Sequence, residues 1–133
     1  MSSIYDDFAV EVSAFAITLS PPLPVSYPGL SFTPPASGYW LEVQWFPNET
    51  QNYGIAFDGP SVLRGFGQVS VCTRPGTGLV KPLDLAGLVV EAFDKGTRFG
   101  DALVYRKPWA SSVIQDNERM MIPVTIMWQA GDG

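Results

Sequence analysis

The segment from Leu63 to Phe93 constrains the fold most, because its hydrophobic period changes once and a rigid joint sits at the change. In its first part, LRGFGQVSVCT, Val69 and Val71 alternate with Gln68 and Ser70, the period of a strand with one buried face. After Arg74 the pattern stops. Pro75 fixes φ, and Gly76 and Gly78 can take positive φ, so the strand must end and the chain must turn. Beyond the turn, Leu83, Ala86, Gly87, Val90 and Phe93 fall at the spacing of a helix face, and Gly96 stands where a C′ residue belongs. A strand therefore feeds an amphipathic helix through one glycine-rich turn.

Upstream, Tyr5, Phe8, Ala9, Val12, Phe15, Ala16 and Leu19 mark one face of a helix of four turns, with Asp6 and Asp7 where the helix dipole favours negative charge. Its polar face lacks Lys and Arg, which argues for core packing and against a membrane-surface helix. Six prolines in PPLPVSYPGLSFTPP then allow at most an edge strand around Val25 to Tyr27. This arm is ordered by docking Leu23, Val25, Tyr27, Leu30 and Phe32, either on its own domain or on a neighbouring subunit.

Tyr39 to Phe46 reads as a strand, with Leu41, Val43 and Trp45 on the buried face and Glu42 and Gln44 on the wet one. Asn48 to Val62 is a long polar stretch that includes Tyr53, Ile55 and Phe57. A loop of that length inside a compact domain points to a contact surface. Ala102 to Lys107 and Ser111 to Gln115 read as short strands, and Met120 to Ala130 as a longer one that Pro123 marks as an edge, or as the point where pairing begins.

Strands and helices do not alternate regularly, so the expected class is α+β: a mostly antiparallel sheet of four to six strands covered by two helices, in one domain over residues 1–133. A chain of this size can bury roughly two thirds of its unfolded surface without staples. The 46% hydrophobic and 16% charged fractions fit a packed globule.

Several classes of function are disfavoured. With no histidine, the commonest general base and metal ligand are both missing. Cys72 stands alone, so no intrachain disulfide can form, and without a histidine to activate it the thiol reads as a small buried hydrophobe. The acidic start, MSSIYDDFAVEV, is unlike a signal peptide, and no apolar run is long enough for a membrane span, so synthesis in a cytoplasm is expected.

GTGLVK lacks the spacing of a phosphate loop, and Pro82 follows its lysine. No spacing forces carboxylates together, and Glu91 and Asp94 read as a solvated helix end. Arg64, Arg74, Arg98, Arg106 and Lys107 read as too scattered to make a nucleic-acid patch, and the net charge of −5 argues against coating DNA. No catalytic, cofactor or metal site is expected. The candidate contact residues are Tyr27 and Phe32 of the arm, Tyr53, Ile55 and Phe57 of the loop, and Arg64, Arg106 and Trp109.

The order of landmarks adds a resemblance. After the first helix come SFTPPASGYWLEVQWFPNE, then RGFGQVSVCTRPGTG, KGTRF and RMMIPVTIMWQA, which supply an F-x-P-P, a G-x-x-x-V-x-V strand with a glycine-rich turn, and a closing P-V-T-I. From about Phe8 to Ala130 the chain resembles the tail terminator-like proteins of long-tailed phages and prophages. The resemblance implies a virion tail protein, made in the host cytoplasm, that forms a ring, usually a hexamer, at the head-proximal end of the tail tube. Its implied partners are its own copies, the major tail tube protein and a head-completion or connector protein, with DNA only passing through the lumen and no membrane involved. A head-tail connector or tail-completion protein on the portal side is the alternative. The family has no active-site residues to carry over.

Overall fold

A computed structural model of the chain describes residues 4–19, 22–35, 38–47, 51–52, 61–76, 78–100, 102–115 and 119–131. The order of elements is α1 (Ile4–Thr18), β1 (Val25–Ser26), β2 (Tyr39–Pro47), β3 (Gln51–Asn52), β4 (Ser61–Thr73), α2 (Val80–Ala92), β5 (Arg98–Phe99), β6 (Ala102–Val104), β7 (Trp109–Ala110), β8 (Ile114–Gln115) and β9 (Met120–Gly131). The α+β class holds. The sheet is mixed and larger than expected: its main path runs β1-β2-β4-β9-β6-β5, while β3 pairs with β4 and β7 and β8 pair with β9. β1 makes it mixed by lying parallel to β2, and the other pairings are antiparallel. Several of these strands are two residues long, too short to leave a periodic trace in sequence.

β4 and β9 form the spine, in register from Val62↔Gly131 to Thr73↔Met120. Pro123 therefore lies in a central strand, not at an edge. A strand residue points its N–H and C=O to the same side, and the Pro123 carbonyl accepts from the Ser111 amide at 2.8 Å. Its missing donor thus faces the gap between β7, which pairs at Thr125 and Val124, and β8, which pairs at Met121 and Met120. Ser111 lies opposite, so the one bond proline leaves unmade is the reciprocal bond to the Ser111 carbonyl, at a break between two short ladders.

Both helices pack on one face of the sheet. From α1, Phe8, Val12 and Ala16 enter the core as the periodicity predicts, with Tyr5, Phe15 and Leu19 packed around them. They meet Leu41 and Val43 of β2, Val69 and Val71 of β4, and Ile122, Val124 and Ile126 of β9. Two glycines of β4 open a slot in this face. Trp45 of β2 lies opposite Gly67, and Trp128 of β9 lies opposite Gly65. The two indoles stack across the gap, centroids 5.1 Å apart and planes 6° from parallel. Phe8 descends onto them: a Cβ added at Gly67 would lie 2.8 Å from its ring tip.

α2 buries Pro82, Leu85, Ala86 and Val89, followed by Phe93 just past its end. The expected face was rotated from this one, and only Ala86 and Phe93 of it are buried; Val90 is half-buried, and Leu83 and Gly87 face out. Apolar residues surround this helix, so the 3.6-residue period alone could not choose the core side. The helix also ends earlier than expected, at Ala92, and Gly96 belongs to the turn beyond it, where its amide donates to the Val104 carbonyl at 2.8 Å. Gly76 and Gly78 do take positive φ, 94° and 83°, as the turn after β4 requires. Space around Gly87 is open, with nothing within 4 Å of an added Cβ. Gly87→Ala should therefore stabilise the isolated chain by about 0.5–1 kcal/mol, read from denaturant melts, and a loss of stability would mean that this helix is packed more tightly than described.

The proline arm packs on its own domain and clasps the sheet edge. Leu23, Val25 and Tyr27 join the helix-side core, and the Tyr27 hydroxyl bonds Ser13 of α1. After a turn closed by the Leu30 amide on the Tyr27 carbonyl, Phe32 packs on the opposite face against Trp40, Cys72 and Met121. Cys72 lies buried under it, and Ser70 of the same face is buried too, although the alternation had assigned Ser70 to solvent.

A candidate contact face

The sheet face away from the helices carries the residues of interest. Side chains that pair directly across strands share a face, so the register places Glu42, Gln44 and Phe46 of β2 beside Ser70, Gln68 and Phe66 of β4. The same rule places Thr125, Met127 and Gln129 of β9 beside Gln68, Phe66 and Arg64. Phe46 and Phe66 stack at 4.6 Å, and Gln68 donates to the Thr125 hydroxyl at 3.2 Å.

All five arginines reach this face from distant parts of the chain. Arg64 lies over the Tyr105 ring at 5.6 Å, Arg74 over Trp40 at 5.3 Å, and Arg106 over Trp109 at 4.9 Å. Arg106 also approaches the Met127 sulfur at 4.0 Å. Arg74 donates to the Pro35 carbonyl at 3.0 Å, pinning the end of the arm. Arg98 pairs with Leu103, which lies opposite Gln129, itself opposite Arg64. Arg119 forms an ion pair with Glu42. The arginines look scattered in sequence, but the sheet gathers them.

Glu42 is the one carboxylate on this face among the described residues, and its Oε2 takes three partners. Besides Arg119, it accepts from Trp40 Nε1 at 3.2 Å and from the Cys72 thiol at 3.4 Å. Burial first, and then the neighbouring Glu42, push the Cys72 thiol far above its ordinary range, so it stays protonated and unreactive. The helix layer has the opposite character: α1 and α2 contain Asp6, Asp7, Glu11, Asp84 and Glu91 against a single cation, Lys81. Among the described residues, charge is thus polarised between a basic aromatic sheet face and an acidic helix layer.

Of the expected contact residues, Arg64, Arg106 and Trp109 come together here. Tyr27 and Phe32 are half-buried against their own domain, and Tyr53, Ile55 and Phe57 lie outside the described residues. Arg74, Arg98 and Arg119 were missed as members of the face. Their alignment depends on strand pairing, which spacing along the chain does not encode.

An apolar cleft of about 720 Å³ lies between the end of α1, the arm and α2, lined by Leu19, Leu23, Tyr39, Leu85 and Leu88 with Lys81 at its edge. No set of polar groups converges in it, as a reaction centre would require. No group of three or more Cys, Asp or Glu among the described residues could hold a metal ion, and no described helix is long and apolar enough to cross a membrane.

What the described residues present is a set of contact surfaces, a basic aromatic sheet face and an acidic helix layer. The chain belongs to the phage tail terminator family: the family profile described as "Phage tail terminator protein" matches residues 4–128. That family is structural and non-enzymatic, and its members are components of virion tails. A search of the curated proteins finds no match. Among solved structures, one superposes with a TM-score of 0.78 at 23% identity, covering 98% of this chain and 94% of the other, which shows a shared fold.

Proposed function

We propose that this chain forms a hexameric ring at the head-proximal end of the tail tube, ends tube polymerisation there and presents the surface to which the head attaches. Family membership supports the location, and the charge polarity of the domain supports the ring. A head-to-tail ring needs two different complementary patches on each subunit, and growth stops when the last junction closes. The tube protein lies below the ring, a head-completion or connector protein docks above it, and DNA passes through without being held. α1, with three carboxylates and no cation, is suited to line such a lumen, because a negative wall repels the phosphate backbone.

Tail length tests the reading. Particles lacking this protein should carry tails of uncontrolled length without heads, and supplying the chain in trans should restore uniform length and infectivity by electron microscopy and plating. Normal tails in its absence would overturn the proposal. Antibody label found on tail-free heads, at the portal, would favour the connector alternative.

A further inference from the structure

We infer that the outward face of α2 on one copy docks on the arginine-aromatic sheet face of the next copy; this rests on the ring reading and specifies its junction. α2 exposes more apolar surface than its own fold uses. Val80 is 79% exposed, Leu83 49% and Leu88 43%, and with them Asp84, Gly87 and Glu91 point away from the core. Gly87, bare at the middle of this face, lets another backbone approach closely. A 13-residue helix is about 20 Å long, comparable to the width of a face four or five strands across.

The sheet face supplies the complement. Phe46 and Trp109 are each 39% exposed there, and the basic groups on it are arginines. Guanidinium is less costly to desolvate than ammonium, and stacking on Tyr105 and Trp109 holds Arg64 and Arg106 in place before any partner arrives. Arginine with aromatics is the composition of a protein-protein contact core. Arginine forks also suit phosphate, but the net charge of −5 works against a duplex. The acidic apolar patch and the basic aromatic patch lie on opposite sides of the domain. Their contact is therefore heterologous and propagates from copy to copy until a ring closes.

The test uses two double variants of the full chain, Arg98→Glu with Arg106→Glu on the sheet face and Asp84→Lys with Glu91→Lys on the helix. All four positions are exposed, so circular dichroism and thermal melts should show both variants folded. In analytical ultracentrifugation the wild type should assemble, less so as salt rises. Each variant alone should need about tenfold to a hundredfold more protein to assemble. Mixed in equal amounts, the two should reassemble, because every junction between unlike variants again joins opposite charges. A variant that assembles like the wild type, a mixture that stays dispersed, or a wild type that remains monomeric overturns this contact. So does a sheet-face variant that assembles normally but loses binding to a labelled DNA duplex, which would assign the face to nucleic acid. The tail-length assay stands apart from all of these, so the junction can fail while the terminator role survives.

Discussion

Phe8→Ala should cost about 3–5 kcal/mol, a large share of the roughly 5–15 kcal/mol that holds a domain of this kind together. The ring is fully buried, with Trp45, Phe99 and Phe93 at centroid distances of 5.2, 5.3 and 5.4 Å. Truncation would leave a cavity bounded by three aromatics and the β4 backbone, none of which can collapse into it. Thermal melts should show a fall of about 10–20 °C. The converse change crowds the same space. A Cβ at Gly67 would meet Phe8 Cζ at 2.8 Å and Trp45 Cε3 at 3.3 Å, so Gly67→Ala should cost about 1–3 kcal/mol. Combining Gly67→Ala with Phe8→Leu should cost less than the sum of the two single changes. Additivity within about 0.3 kcal/mol would mean that the two residues do not compete for one volume.

Glu42→Leu is expected to be nearly as damaging, by about 2–4 kcal/mol. It removes the acceptor of the Trp40 indole and the Cys72 thiol in a buried cluster, and a buried donor left without a partner costs about 1–3 kcal/mol. The Arg119 ion pair adds less, because that side chain is 35% exposed and solvent screens it. Glu42→Gln, which keeps an acceptor, should lose about half as much. Equal losses for the two variants would place the effect in the charge and not in the hydrogen bonds.

The same cluster sets a pH dependence. Unfolded, the Cys72 thiol ionises near pH 8.5, whereas folded it is held well above that by burial and by Glu42. Above about pH 8.5 the unfolded state therefore binds fewer protons than the folded one, and stability falls by up to about 1.4 kcal/mol per pH unit. Denaturant melts across pH 8 to 10 should show this slope, and Cys72→Ala should flatten it. An unchanged slope in Cys72→Ala would assign the dependence to other groups.

The sequence by itself determined the local units. The alternation at Val69 and Val71, the stop at Pro75 to Gly78 and the α1 stripe through Phe8, Val12 and Ala16 are set by side-chain period and backbone freedom, which act within a few residues. The order of those units was also enough to carry the family resemblance that the profile match bears out. Tertiary structure decided the rest. Which side of α2 is buried depended on what the helix could pack against, since apolar residues ring it. Pro123 sits in a central strand because pairing left a gap where its amide would have been. The arm lies on its own domain because Phe32 found Trp40 and Cys72 beyond the sheet edge. The contact face is the clearest case: strand register aligns Arg64 with Arg98, and contacts with Trp40, Trp109 and Glu42 bring Arg74, Arg106 and Arg119 to the same surface, long-range relations that no local spacing records.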